Sequence, residues 1–293
     1  MNAITTRYAT QNVGELEIFY REAGPKDAPV LLLLHGYPSS GHMFRDLIWR
    51  LADRYRVVAP DLPGYGSTKA PPRGRYAYTF DNLAKAMEGF TEALGLTRYA
   101  LYVFDYGAPT AFRLATMHPE RVTAIITQNG NAYEEGLLPA WDPVRRYWEN
   151  PTAENREALK ALQTRETTLW QYLHGVPDAI RDRIGPDGIA HDQAILDRPD
   201  GAEIQLDLIG DYKTNVALYP EWQAYFRQYQ PPILAVWGDG DPFFGPDGAR
   251  AYARDVPGAE IHLFETGHFA LETHAAEIAD LIRGFLGRVN GVG

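Results

Sequence analysis

The sequence predicts an α/β protein whose mostly parallel central sheet is flanked by helices. Two observations support this fold class. Short apolar runs of strand length alternate with segments whose apolar residues recur at helical spacing, which is typical of a parallel sheet covered by helices. The alternation stops near residue 133 and resumes after residue 230, which indicates one sheet interrupted by an inserted segment.

The segments predicted as strands are apolar throughout or alternate polar and apolar residues. In chain order they are residues 15–20, 29–34, 56–59, 99–104, 122–127, 232–237 and 260–264. Helical spacing predicts helices over residues 43–52, 79–94, 110–118 and 275–286.

The inserted stretch lacks strand signals. Charged helical segments such as residues 152–173 fill it, and turns at GVPD, IGPDG and RPDG break them. We therefore predict two units, a core made of residues 1–132 and 231–293 and a helical cap, or lid, made of residues 133–230.

Composition argues against several kinds of partner. The formal net charge of −10 argues against a phosphate-binding surface, so no nucleic-acid partner is expected. The absence of cysteine removes disulfides, thiolate metal sites and cysteine nucleophiles. The N-terminus lacks an apolar segment of signal-peptide length, and the longest apolar run, residues 28–34, is too short to span a membrane. We expect a cytoplasmic monomer or homodimer without a membrane partner.

One acid, Asp105, stands between the predicted strand 99–104 and the following helix. In a parallel sheet, ligands bind at the carboxyl ends of the strands, and a sharp strand-to-helix turn projects one side chain there. The next residues, Tyr106-Gly107-Ala108-Pro109, suit a first helical turn. Asp is also a common helix N-cap, and this stretch alone leaves both interpretations open.

Two further polar sites follow predicted strands. The loop GDGDPFF carries Asp239 and Asp241 after residues 232–237, and ETGHFALETH carries His268 after residues 260–264. Either site alone is typical of a turn or a surface loop. Together with Asp105 they form the chain order nucleophile, acid, histidine at three strand ends, which favours a catalytic set.

The chain resembles the α/β-hydrolase family over nearly its whole length. The residues that carry the likeness are His35-Gly36-Tyr37-Pro38, Asp61 to Ser67 (DLPGYGS), Phe104-Asp105-Tyr106-Gly107, Asp241 and Gly267-His268-Phe269. The resemblance implies that Asp105 is the nucleophile, His268 the base and Asp241 its partner, with the backbone N–H groups of Tyr37 and Tyr106 as the oxyanion hole. One departure is Val103, since the family usually has glycine two residues before the nucleophile.

An acid at the nucleophile position restricts the substrate. The chain has only three serines, none of them in a Gly-x-Ser-x-Gly turn. A carboxylate is ionised at neutral pH and can attack unaided. Attack on saturated carbon gives an ester that water can hydrolyse, whereas serine would give a stable ether. Asp105 therefore suits saturated carbon electrophiles, and His268 with Asp241 would activate the hydrolytic water.

Two leaving groups remain open, a halide and an epoxide oxygen. Haloalkane dehalogenases usually place Trp after the nucleophile and use an Asn or a second Trp elsewhere, whereas this chain has Tyr106 and Tyr37 at the corresponding places. Epoxide hydrolases of this fold use two lid tyrosines, because a phenol can hydrogen-bond the opening oxygen. The segments YWENP and DYKTN resemble their motifs and imply those roles for Tyr147 and Tyr212, with Tyr172 and Tyr219 as other lid tyrosines.

The sequence thus predicts an epoxide hydrolase that makes a vicinal diol through an ester on Asp105. The expected partners are a small, apolar epoxide and water. We expect no cofactor and no metal, because the remaining histidines show no metal-ligand spacing. The alternatives are a haloalkane dehalogenase that uses the same ester and a non-catalytic binding or receptor protein on the same fold.

Overall fold

The computed structural model describes residues 4–291 and centres on one eight-stranded sheet. Its strands are β1 (Arg7–Val13), β2 (Leu16–Ala23), β3 (Val30–Leu34), β4 (Arg56–Pro60), β5 (Tyr99–Phe104), β6 (Val122–Gln128), β7 (Ile233–Gly238) and β8 (Glu260–Phe264). The order across the sheet is β1-β2-β4-β3-β5-β6-β7-β8. β1 and β2 pair antiparallel, β2 runs antiparallel to β4, and every other pair is parallel. The predicted α/β fold class is confirmed.

Strand β1 is the one strand among residues 4–291 that the sequence did not predict. Its side chains are exposed or half-buried along its whole length, so it carries no apolar run. It pairs with β2 from Val13↔Leu16 to Arg7↔Glu22 at the edge of the sheet. Gly14 allows the tight connection because its φ is 57°, a left-handed value that glycine adopts without strain.

Helices cover both faces of the sheet. On one face lie α1 (Arg45–Leu51) and α11 (Ala270–Val289), and on the other α2 (Phe80–Ala93), α3 (Gly107–Met117) and α10 (Pro246–Asp255). Strand β5 is fully buried and serves both layers: Leu101 and Val103 face the α2 and α3 side, while Tyr102 and Phe104 face the other. This alternation follows from the two-residue period of a strand.

The insertion between β6 and β7 is described throughout and contains no strand. Its helices are α4 (Asp142–Glu149), α5 (Ala153–Ala158), α6 (Arg165–Leu173), α7 (Pro186–Leu196), α8 (Gly201–Asp211) and α9 (Lys213–Tyr229). The helical segment predicted over 152–173 is broken by a 3-10 turn at Leu159–Gln163. The ring of Phe112 on α3 lies 5.4 Å from Trp222 and 5.3 Å from Phe226, so α9 also packs on the core, and a division at residues 133 and 230 stays a prediction.

Within residues 4–291, no helix has the length and apolar character needed to cross a membrane.

Candidate active site

The turn between β5 and α3 holds Asp105 in a left-handed conformation, with φ at 46°. Such a backbone costs about 1 to 3 kcal/mol for a residue other than glycine and persists only where packing enforces it. The packing leaves room for no side chain at two glycines: a Cβ on Gly36 would lie 2.2 Å from Oδ1 of Asp105, and one on Gly107 would lie 2.1 Å from the Leu34 carbonyl oxygen. Gly36 and Gly107 therefore allow the backbone to pack closely against the Asp105 turn.

The carboxylate of Asp105 is buried and does not serve as the N-cap, since Tyr106 occupies that position of α3. Oδ1 instead accepts a hydrogen bond of 2.6 Å from the backbone N–H of Tyr37. The N–H groups of Tyr37 and Tyr106 both favour the ionised form. The structure thus brings both predicted oxyanion-hole groups to Asp105.

Val103, where the family usually has glycine, is accommodated by a small neighbour. Val103 is fully buried, and Gly130 lies beside it after β6. A Cβ on Gly130 would be 3.3 Å from Cγ2 of Val103 and 2.8 Å from Cβ of Ala108. Any side chain at residue 130 would crowd Val103 and Ala108, and glycine avoids this contact.

His268 and Asp241 form a buried pair next to this turn. Nδ1 of His268 lies 2.6 Å from Oδ2 of Asp241, while Oδ1 of Asp241 accepts a 2.7 Å hydrogen bond from the N–H of Phe243. Nε2 of His268 lies 3.9 Å from Oδ2 of Asp105, too far for a direct hydrogen bond. Asp241 therefore fixes the orientation of the His268 ring, and Nε2 of that ring faces Asp105.

Asn129 is a member of this network that the sequence reasoning missed. Its Nδ2 donates to Oδ2 of Asp241 at 2.8 Å and to the Gly238 carbonyl at 3.1 Å, and its Oδ1 accepts from the Gly238 N–H at 2.9 Å. It follows β6 with φ at 45°. A polar residue just past a strand end was the signal used for Asp105, and the same signal could have identified Asn129.

Burial and the neighbouring charges set the proton affinities of the pair. Burial raises the pKa of Asp105 to about 6, although the charge of His268 and the N–H groups of Tyr37 and Tyr106 oppose this rise. Burial lowers the pKa of His268, but the charge and hydrogen bond of Asp241 outweigh it and leave the pKa above its usual value of 6.5.

A cavity with about 30 Å³ of open space lies over Asp105 and His268. Its apolar walls come from the core and the inserted helices and consist of Tyr37, Tyr106, Trp141, Val144, Leu162, Ile209 and Phe243. Gln171 is the remaining lining residue, so neither lysine nor arginine is among those that line this cavity. A small, neutral ligand fits these walls.

Tyr212 lies in the wall behind these lining residues and is fully buried. Its ring centroid is 4.4 Å from that of Trp141 and 5.6 Å from that of Tyr106. Burial, together with nearby Tyr219 and Asp105, raises the pKa of Tyr212 well above 10, so the hydroxyl stays protonated. The hydroxyl of Tyr219 interacts with that of Tyr212 and raises its pKa further, although the contact falls short of full hydrogen-bond geometry within residues 4–291.

Tyr147 does not reach the cavity, which corrects the expectation from YWENP. It lines a separate surface pocket, where it packs against Gly210: a Cβ there would be 3.1 Å from Cε1 of Tyr147. Trp141 and Val144 line the cavity, whereas Trp148 lines the same surface pocket as Tyr147 and places its ring parallel to that of Tyr212 at 6.1 Å.

The other lid tyrosines have different contacts. The hydroxyl of Tyr172 donates to Oδ2 of Asp192 at 2.6 Å, and the hydroxyl of Tyr219 accepts from Nδ2 of Asn131 at 3.1 Å. Trp141, by contrast, is buried, and its indole N–H has no acceptor in the described part of the chain. Trp141 is thus a second unpaired donor beside Tyr212.

The parallel sheet, the acid on its left-handed turn and the histidine held beside it define a hydrolase of the α/β class. Residues 29–275 match the family model described as the alpha/beta hydrolase fold, and the chain belongs to this family. An uncharacterised hydrolase of Saccharomyces cerevisiae, YNR064C, is 40% identical over 285 residues, which cover 96% of this chain and 97% of that protein.

More distant relatives carry more specific names. A haloalkane dehalogenase of Mycobacterium marinum is 28% identical over 283 residues, covering 94% of this chain and 90% of that protein. A Pseudomonas aeruginosa structure, provisionally described as an epoxide hydrolase, has a TM-score of 0.80 at 20% identity and covers 98% of this chain and 97% of that one. At that identity the structural likeness concerns the fold alone.

Proposed function

We propose that the protein is an epoxide hydrolase that forms a vicinal diol through a covalent hydroxyalkyl ester on Asp105. The observation that carries this proposal is the buried, protonated hydroxyl of Tyr212, which lies in the wall behind Asp105 with the hydroxyl of Tyr219 as its polar neighbour. An opening epoxide needs a proton donor, and a phenol supplies one.

In the first step, a carboxylate oxygen of Asp105 attacks one ring carbon and the bond from that carbon to the ring oxygen breaks. The oxygen takes the proton of Tyr212 and becomes a hydroxyl group, and Tyr212 regains a proton from water. Oδ2 is the attacking atom that suits this geometry, because Oδ1 already accepts the hydrogen bond from Tyr37.

In the second step, His268 takes a proton from water through Nε2, and the hydroxide adds to Cγ of Asp105. Negative charge then develops on Oδ1, which the N–H of Tyr37 contacts at 2.6 Å, while Asp241 stabilises the imidazolium from Nδ1 at 2.6 Å. When the ester bond breaks, the diol oxygen takes the proton back from His268, and the new carboxyl group of Asp105 gives its proton to the hydroxide left when water reprotonated Tyr212. Asp105 is regenerated and no cofactor is needed.

Dehalogenation through the same ester is the second candidate, and Trp141 favours it. A departing halide needs an N–H donor but no proton, and the indole of Trp141 lines the cavity without an acceptor inside the described region. The Mycobacterium marinum relative is named for this reaction. The cytoplasmic location and the cap and core division expected from the sequence remain part of the proposal.

Matched substrates separate the two reactions. We expect 1,2-epoxybutane to give butane-1,2-diol and 1-bromobutane to give little bromide, because Tyr212 can protonate the epoxide oxygen. Diol is measured by gas chromatography and bromide by ion chromatography, with Asp105→Asn as the control for spontaneous hydrolysis. Bromide release without diol would favour dehalogenation, and neither product across a broad panel would favour the binding-protein alternative.

The pH dependence of ester formation provides a further prediction. Only ionised Asp105 attacks, and its pKa is raised to about 6, so the single-turnover rate should fall as the pH drops through about 6. The measurement is rapid-quench mass spectrometry of the ester, corrected with Asp105→Asn for acid-catalysed ring opening. A midpoint near the ordinary aspartate value of ~4 would contradict the role of burial.

A further inference from the structure

Gln171 is the one uncharged polar side chain among the cavity walls that is not aromatic. It lies on α6 and is only 2% exposed. Its neighbours on that helix, Thr168 and Tyr172, donate their hydroxyls to Gln193 and Asp192, whereas the amide of Gln171 has no hydrogen-bond partner among residues 4–291. A buried amide facing a cavity without a protein partner is available to a ligand.

The other buried glutamines of residues 4–291 each make at least one hydrogen bond to the protein, although Nε2 of Gln205 has no partner. Gln193 accepts from Thr168 at 2.7 Å and donates to the Gln163 carbonyl at 3.2 Å, and Gln128 donates to the His268 carbonyl at 3.2 Å. Neither amide atom of Gln171 is among the fully buried, unpaired side-chain atoms of residues 4–291, so the amide keeps access to the open space of the cavity. A leucine or methionine would pack against these apolar walls without a polar group that needs a partner. Packing alone would therefore favour an apolar residue over glutamine at position 171.

The cavity also restricts what the amide can bind. An amide both donates and accepts, so it matches a hydroxyl, a carbonyl or an ether oxygen. A carboxylate is disfavoured, because Asp105 is itself an acid and neither lysine nor arginine lines this cavity. The small open space of about 30 Å³ favours a short chain.

We propose that Gln171 makes the enzyme selective for small epoxides that carry a neutral oxygen substituent, with its amide hydrogen-bonded to that oxygen. This inference rests on the proposed function and refines its substrate class: the sequence alone predicts an apolar epoxide. Gln171 is the specificity-determining residue at the cavity wall, while Asp105, Tyr212 and His268 carry the reaction.

Glycidol and 1,2-epoxybutane test the proposal because they have the same number of heavy atoms and differ by a hydroxyl in place of a methyl group. In Gln171→Met, kcat/KM for glycidol should fall about 10- to 100-fold, while the value for 1,2-epoxybutane stays within about threefold. The ratio of the two substrates within each protein removes their intrinsic reactivities. Gln171→Leu serves as a second variant, and thermal melting checks that each variant is folded.

The outcomes are distinguishable. An unchanged ratio, or an equal loss for both substrates, would overturn the role of Gln171 and leave the epoxide hydrolase proposal intact. If the wild-type protein turns over neither epoxide, this result contradicts the proposed function, and the selectivity that depends on it is contradicted as well. Calorimetric titration with glycerol and butane-1,2-diol, the two products, gives a readout besides turnover. In Gln171→Met and Gln171→Leu, the binding of glycerol should weaken and the binding of butane-1,2-diol should not.

Discussion

Incubation of His268→Gln with 1,2-epoxybutane is expected to leave a stable ester on Asp105. Glutamine cannot take a proton from water, so ring opening proceeds and hydrolysis stops. Steady-state diol formation should fall by about 10³-fold, within the range for loss of a general base. Intact-mass spectrometry should show one added epoxide per chain, and peptide mapping should find it on the peptide that contains Asp105.

His262→Gln is the matched control, since His262 lies on β8 and does not line the cavity. This variant should turn over substrate normally and carry no adduct. The double variant Asp105→Asn with His268→Gln should also remain unmodified. An adduct on another residue, or none with any of a broad panel of epoxides and haloalkanes, would remove Asp105 from the mechanism.

The Tyr212→Phe variant is expected to lose about 100-fold or more of its epoxide-opening rate. The substitution removes one hydroxyl and keeps the ring, whose contacts with Trp141 and Tyr106 hold it in the wall. Because the only polar contact of this hydroxyl within residues 4–291 is the weak one with Tyr219, its loss should lower the melting temperature little. Stopped-flow or rapid-quench measurement of ester formation isolates the affected step.

Tyr147→Phe serves as the control for Tyr212→Phe, because Tyr147 packs in a separate pocket. It should keep ester formation within about twofold of the wild-type rate. The reverse pattern, with Tyr147→Phe impaired and Tyr212→Phe active, would contradict the arrangement described above. If Tyr212→Phe spares bromide release from 1-bromobutane while Trp141→Phe suppresses it, the dehalogenase alternative gains support.

The left-handed turn, the histidine and its acid could be located from the sequence because each follows a strand that apolar residues mark. Asp105, Asp241 and His268 come directly after predicted strands, and the carboxyl ends of parallel strands meet at one edge of a sheet. The fold class could be predicted for the same reason, because the spacing of apolar residues in strands and helices is a local property of the sequence. Strand β1 escaped detection because its exposed side chains leave no apolar pattern.

Side chains whose function depends on which way a helix faces were beyond sequence reasoning. Tyr147 and Trp148 are adjacent, and about 100° of rotation about the helix axis separates them, so a motif cannot tell which one faces inward. Packing places Tyr147 against Gly210 and Trp148 beside Tyr212, and neither side chain lines the cavity. The unpaired amide of Gln171 is likewise visible only once the elements around it are assembled.

The sequence by itself determined the α/β class and the inserted helical segment, and it predicts aspartate as the attacking group, because strand periods, turn residues and side-chain chemistry are local properties. Only the tertiary structure decided which lid residues meet the cavity, that Gly130 makes room for Val103, and that Asn129 supports Asp241. Those features depend on contacts between residues far apart in the chain, and packing and burial set them.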